Sequence, residues 1–174
     1  VAGAPEGIVL ARHRDLSGRR WQPWLRRGLL GLVGVVLLLA LLDVFGQRPS
    51  TTRAGSAAAT LEISAPHAVR GGLLFQARFT IETKQELKDA TLVLGPGWLD
   101  GLTVNTVEPS PLNEASRDGK LSLELGHLAA GVKHVLYVEY QVNPTTVGRR
   151  TQAVELDDGE QPVLTTKQSL TVFP

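Results

Sequence analysis

The chain has 174 residues, with 18 basic and 17 acidic side chains, no cysteine, 43% hydrophobic residues and 5% aromatic ones. These figures exclude a disordered tail, a disulfide-stapled mini-domain, a cysteine-ligated zinc or iron–sulfur site and a thiol enzyme. The length fits one domain plus something smaller.

The near-zero net charge hides an asymmetry. Residues 1–27 carry Arg12, Arg14, Arg19, Arg20, Arg26 and Arg27 against Glu6 and Asp15, a balance of +4. Residues 59–174 carry ten basic and fourteen acidic side chains, a balance of −4. A basic head and an acidic body separated by an apolar run are a membrane-topology signal. The arginine cluster abuts that run and has no domain of its own, so no nucleic-acid partner is expected.

The apolar run is Gly28 to Phe45, with eight Leu, four Val and one charge, Asp43. As a helix it spans roughly 27 Å, close to a hydrocarbon core of about 30 Å. Its strongly apolar residues favour insertion by about 4 to 8 kcal/mol, against roughly 3 kcal/mol for an aspartate at the bilayer centre. Asp43 sits near the end of the run, where that cost falls, so insertion wins. Trp21 and Trp24 precede the run and suit the headgroup level, and Arg26 and Arg27 can snorkel from its edge. These four are the expected membrane-interface residues, with the lipid bilayer as partner.

The excess of arginine before the helix predicts a cytoplasmic N-terminal segment over 1–27, a transmembrane helix over 28–45 and a C-terminal part outside the cell membrane. The rivals are a buried soluble helix and a cleaved signal peptide. The signal-peptide reading needs a small-residue site soon after Leu42, and Asp43-Val44-Phe45-Gly46 matches one poorly. Asp43 is the candidate contact to another membrane helix; the competing reading is a terminal aspartate reaching water. Gly28, Gly31 and Gly34 form no G-x-x-x-G and read as ordinary membrane-helix glycines.

Residues 46–58, rich in Gly, Ser, Thr and Ala, show no apolar period and predict a flexible spacer. From Ala59 onward the apolar period is two. Leu73, Phe75, Ala77, Phe79 and Ile81 alternate with mostly polar residues. Val132, His134, Leu136, Val138, Tyr140 and Val142 line one side of a second strand, and Leu121, Leu123 and Leu125 mark a third. Leu61 with Ile63, and residues 90–94, 102–107, 152–156 and 164–172, complete seven or eight strands. Turn signals separate them, among them Gly95-Pro96-Gly97, Asp118-Gly119, Asn143-Pro144 and Asp157-Asp158-Gly159. The pattern predicts an all-β, immunoglobulin-like antiparallel sandwich over 59–174, with a closed barrel as the rival.

The stretch from Leu123 to Gly131 (LELGHLAAG), followed by a strand and by Val142-Asn-Pro-Thr-Thr-Val-Gly148, resembles the signature of the conserved-repeat immunoglobulin-like domains of bacterial surface proteins. Upstream, residues 89–102 (DATLVLGPGWLDGL) resemble a further segment of that signature. The resemblance covers most of residues 60–174 and rests on turn chemistry, so it implies a fold and is nearly silent on activity. A single copy departs from the long stalks built of such repeats.

No catalytic set emerges. His13, His67, His127 and His134 have no metal-box spacing, and no phosphate loop, nucleophile elbow or dinucleotide fingerprint occurs. No cofactor is expected. His134 reads as a packed or rim residue. Asp157-Asp158-Gly159-Glu160 reads as a hairpin loop before a calcium loop. Trp98, in the Gly-Pro-Gly-Trp loop, either anchors a partner or caps the core. The polar stretch Pro109–Arg117 reads as a long loop, which makes Ser110, Asn113 and Arg117 candidate partner contacts beside Trp98. The expectation is a non-enzymatic single-pass membrane protein whose outer domain serves another membrane or envelope protein. The alternative is an autonomous binding module for envelope polysaccharide or an extracellular protein, tethered by its helix.

Overall fold

The computed structural model describes residues 21–42 and 47–174. They fall into two compact units that divide after Phe45.

The first unit contains one helix, α1 (Gln22–Leu41), with no buried residue. At 1.5 Å per residue it is about 30 Å long. It starts six residues earlier than the apolar run predicts. Pro23 stands in the first turn, where its missing N–H costs nothing, and Trp24, Leu25, Arg26 and Arg27 continue the helix without a breaker. Among the described residues, this is the one helix long and apolar enough to cross a membrane.

The second unit holds eleven strands: β1 (Pro49–Gly55), β2 (Ala59–Pro66), β3 (Ala68–Arg70), β4 (Leu74–Thr83), β5 (Leu87–Leu94), β6 (Leu102–Glu108), β7 (Asn113–Arg117), β8 (Lys120–Leu128), β9 (Lys133–Val142), β10 (Gly148–Asp158) and β11 (Gln161–Phe173). One sheet runs β1-β2-β4-β9-β6 and the other β3-β11-β10-β5-β8-β7. Every neighbouring pair is antiparallel except β3 with β11. Each sheet keeps two free edges, so the fold is the immunoglobulin-like sandwich and not a closed barrel.

The period-two residues form the core. Leu61 and Ile63 of β2, Phe75, Ala77, Phe79 and Ile81 of β4, and Leu136, Val138, Tyr140 and Val142 of β9 face Leu92, Leu94, Leu123, Val154, Leu156 and Leu170 of the other sheet. Leu73 departs from the expected buried row. It lies in the turn before β4 and is exposed.

Two further expectations are corrected. The spacer predicted over 46–58 is largely strand: β1 pairs with β2 from Pro49↔Pro66 to Gly55↔Thr60. Its residues are only half-buried at best, so no apolar period announces it. The long loop predicted over Pro109–Arg117 shrinks to residues 109–112, because Asn113–Arg117 form β7, paired with β8 through a two-residue turn at Asp118-Gly119. That dipeptide suits a tight hairpin, and both residues have positive φ, 53° and 71°.

The family-like motifs do recognisable work. Between Glu124 and Gly126 the register of β8 on β5 slips by one residue, a bulge centred on Gly126 at φ 72°. This slip brings Gly126 and Leu128 to the buried side in place of Leu125. The Asn143 carboxamide oxygen accepts from the Thr145 N–H (3.1 Å) and hydroxyl (2.9 Å), closing the turn into β10.

Candidate functional site

On α1, Trp24 and Arg27 are three residues apart and share a face, with the guanidinium carbon 5.5 Å from the ring centroid. Trp21, Trp24, Arg26 and Arg27 thus cluster in the first two turns. Trp24 also keeps most of its surface exposed. Asp43 lies outside the described residues.

Trp98 is not a partner contact. Its exposure is 0%. Pro96–Trp98 form a single 3-10 turn laid directly against β10. A Cβ on Gly97 would collide with the Thr151 carbonyl, so glycine is what lets the turn approach and drive the indole inward. The ring stacks on Tyr140 (centroids 5.4 Å) and meets Phe79 edge-on (5.3 Å). It caps the core. Ser110 is exposed on the remaining loop, and Asn113 and Arg117 are exposed on the edge strand β7. The structure does not bring them together with Trp98, which is inside.

His134 is half-buried on β9, and burial lowers its pKa from the usual imidazole value. His127 meets Glu86 at 2.9 Å on the surface. Asp158 and Gln161 pair across the β10–β11 hairpin, which makes Gly159-Glu160 its turn, and Asp158 accepts the Asp89 N–H at 2.8 Å. No group of three His, Asp or Glu side chains suited to a metal gathers among the described residues.

Two surface features escape the sequence reading. The first is a cleft of about 420 Å³ where β1 adjoins β10 and β11, lined by Ser50, Thr52, His67, Arg149, Lys167 and Ser169 among others. Hydroxyls and cations dominate it. The second is the end of the sandwich at which β1 starts. The Gln47 side chain donates to the Leu74 carbonyl (3.2 Å), the Gly71 N–H to Phe173 (2.9 Å) and the Gly72 N–H to Val142 (3.0 Å). These bonds gather the 70–74 turn, the 143–147 turn and the close of β11 at one end. Around it stand Leu73, Leu74, Val147 and Phe173, exposed by 46%, 51%, 57% and 51%. Arg70 pairs in register with Phe173, and Arg149 with Thr171, so both cations border the same end. At the opposite end Glu86, Asp89, Asp158 and Glu160 accompany Lys84 and Lys88 on the turns and strand ends.

No protein-family model matches the chain, and no curated protein matches it. Solved structures do. The chain is similar to a non-cellulosomal cohesin from the archaeon Archaeoglobus fulgidus, at 16% identity over 73% of this chain and 92% of that one, with a TM-score of 0.40. It is similar to a CARDB domain from Pyrococcus furiosus, at 12% identity over 72% and 96%, with a TM-score of 0.43. It is also similar to the third cohesin ScaC of Acetivibrio cellulolyticus, solved in complex with the ScaB dockerin, at 10% identity over 62% and 94%, with a TM-score of 0.41. At these identities and scores no residue role passes to this chain.

Proposed function

We propose that the chain is a single-pass membrane protein, with its N-terminal segment in the cytoplasm, whose extracytoplasmic sandwich serves as an accessory or interaction module for another membrane or envelope protein. One observation carries this reading. A 20-residue helix buries none of its side chains, while the sandwich on the same chain has a core of its own. A helix this long and apolar suits an apolar solvent such as a bilayer. The non-enzymatic reading is part of the proposal and rests on the sequence, where no catalytic set emerges.

The second reading, an autonomous module for envelope polysaccharide or an extracellular protein, is favoured by the hydroxyl- and cation-lined cleft beside β1. The aromatic residues speak against polysaccharide. Phe75, Phe79, Trp98 and Tyr140 are buried, which leaves Tyr137 and Phe173 as the sandwich's exposed rings.

In-cell cross-linking of the tagged full-length chain, beside a version whose helix is replaced by polyleucine of equal length, separates the two. A defined membrane partner lost with the native helix supports the accessory role. A partner or glycan retained with the neutral helix overturns it in favour of the tethered module.

A further inference from the structure

We infer that the end of the sandwich formed by the 70–74 turn, the 143–147 turn and the last residues of β11 rests on an anionic phospholipid surface, with Leu73, Leu74, Val147 and Phe173 meeting the headgroup boundary and Arg70 and Arg149 meeting lipid phosphates. The inference rests on the membrane reading above and goes beyond it by assigning a lipid-facing surface to the outer domain.

Three observations converge. The first is position. Seven residues join α1 to β1, and a chain of that length reaches at most about 25 Å. Pro49 begins β1 at this end, and Gln47 is bonded to Leu74 there. The chain that leaves α1 therefore enters the sandwich at this end.

The second is chemistry. Four exposed aliphatic or aromatic side chains beside two arginines match the layered boundary of a bilayer, where apolar groups enter and cations stay with phosphate. Arg149 also lines the neighbouring cleft, together with His67 and Lys167. Asp100, on the adjoining 99–101 turn, and Asp118, in the β7–β8 turn, are the acids at this end of the strands.

The third is the contrast along the domain. Residues 59–174 are net acidic, and at the far end Glu86, Asp89, Asp158 and Glu160 outnumber Lys84 and Lys88. An anionic surface attracts one end and repels the other, which fixes the orientation.

The test uses the full chain in lipid nanodiscs. Because the protein has no cysteine, a single Thr145→Cys places an environment-sensitive fluorophore at the proposed surface, and Val132→Cys places one at the far end. Discs of phosphatidylglycerol are compared with discs of phosphatidylcholine, each carrying a headgroup-proximal spin-labelled quencher. The expected result is a blue shift and quenching at position 145 in phosphatidylglycerol only, with position 132 silent. Arg70→Glu with Arg149→Glu reduces the docked fraction, by about fivefold in the docked-to-free ratio for each positive charge removed. Equal responses at 145 and 132, or equal responses in the two lipids, overturn the inference, as does protection of 145 that appears only when another protein is added. Co-elution of the chain with the discs is scored separately. A chain that does not co-elute contradicts the membrane reading itself, and the lipid surface falls with it.

Discussion

Single residues decide more here than their chemistry announces. Trp98 illustrates this. In the sequence, an aromatic in a Gly-Pro-Gly-Trp loop suits a partner contact as well as a core cap. The deciding fact is the clearance between Gly97 and the Thr151 carbonyl, which belongs to a strand 54 positions later. No local pattern encodes that distance. Truncation of a fully buried indole leaves a cavity between Phe79 and Tyr140. Trp98→Ala is therefore expected to cost about 3–5 kcal/mol in urea unfolding, while any partner binding by the folded fraction is unchanged. A loss of binding with no loss of stability would return Trp98 to the surface. His134 makes a different prediction. Its Nε2 is buried without a protein partner, and burial holds its pKa below the usual 6.5. As pH falls through about 6.5 the unfolded chain takes up the proton first, so stability is highest above that value and declines toward the lowered folded pKa. The urea midpoint should fall between about pH 7.5 and pH 5.5, and His134→Gln should shrink that fall. A slope unchanged in the variant would place the titration elsewhere.

Elements divide by how much they bury. The eight strands that alternation predicts all form, because each has one face on the core and the period-two pattern is the imprint of that face. The three strands that alternation misses are β1, β3 and β7, and all three are edges. β7 is exposed along its whole length, and β3 has three residues. Their pairing is dictated by the neighbouring strand's backbone, and an edge strand imposes little on its own side chains. β1 is the sharpest case, since its Ser, Thr, Ala and Gly read as spacer. An ion pair between Arg53 and Glu62 crosses to β2 on its outer face. If β1 is a strand in solution, hydrogen exchange of alternate amides over residues 50–55 will be slow, in step with β2. Uniformly fast exchange would restore the flexible spacer. The bulge at Gly126 marks a further limit: alternation carries Leu125 fully into the core, and the register slip leaves it partly buried against the core's margin.

At the scale of the whole molecule, the sequence separates a basic head, an apolar segment and a net acidic body; among the described residues the apolar segment is α1 and the acidic body is the sandwich. What it adds is distribution. The candidate contacts Ser110, Asn113 and Arg117 stand on and beside an edge strand, while Leu73, Leu74, Val147, Phe173, Arg70 and Arg149 come from three stretches far apart in the chain and meet at one end. Only the crossing of strands between two sheets assembles them, so linear spacing gives no sign of that surface. The Asn143-Pro144 turn behaves in the opposite way: it is local, and the sequence shows it directly. The central claim is that this body stands outside a membrane crossed once by α1. Single cysteines at Ser17→Cys and Val132→Cys, probed in intact cells with a membrane-impermeant maleimide, test it most directly. Labelling of position 132 in intact cells, with position 17 labelled only after permeabilisation, is the predicted result. Position 17 labelled in intact cells, or both positions protected until lysis, would contradict it.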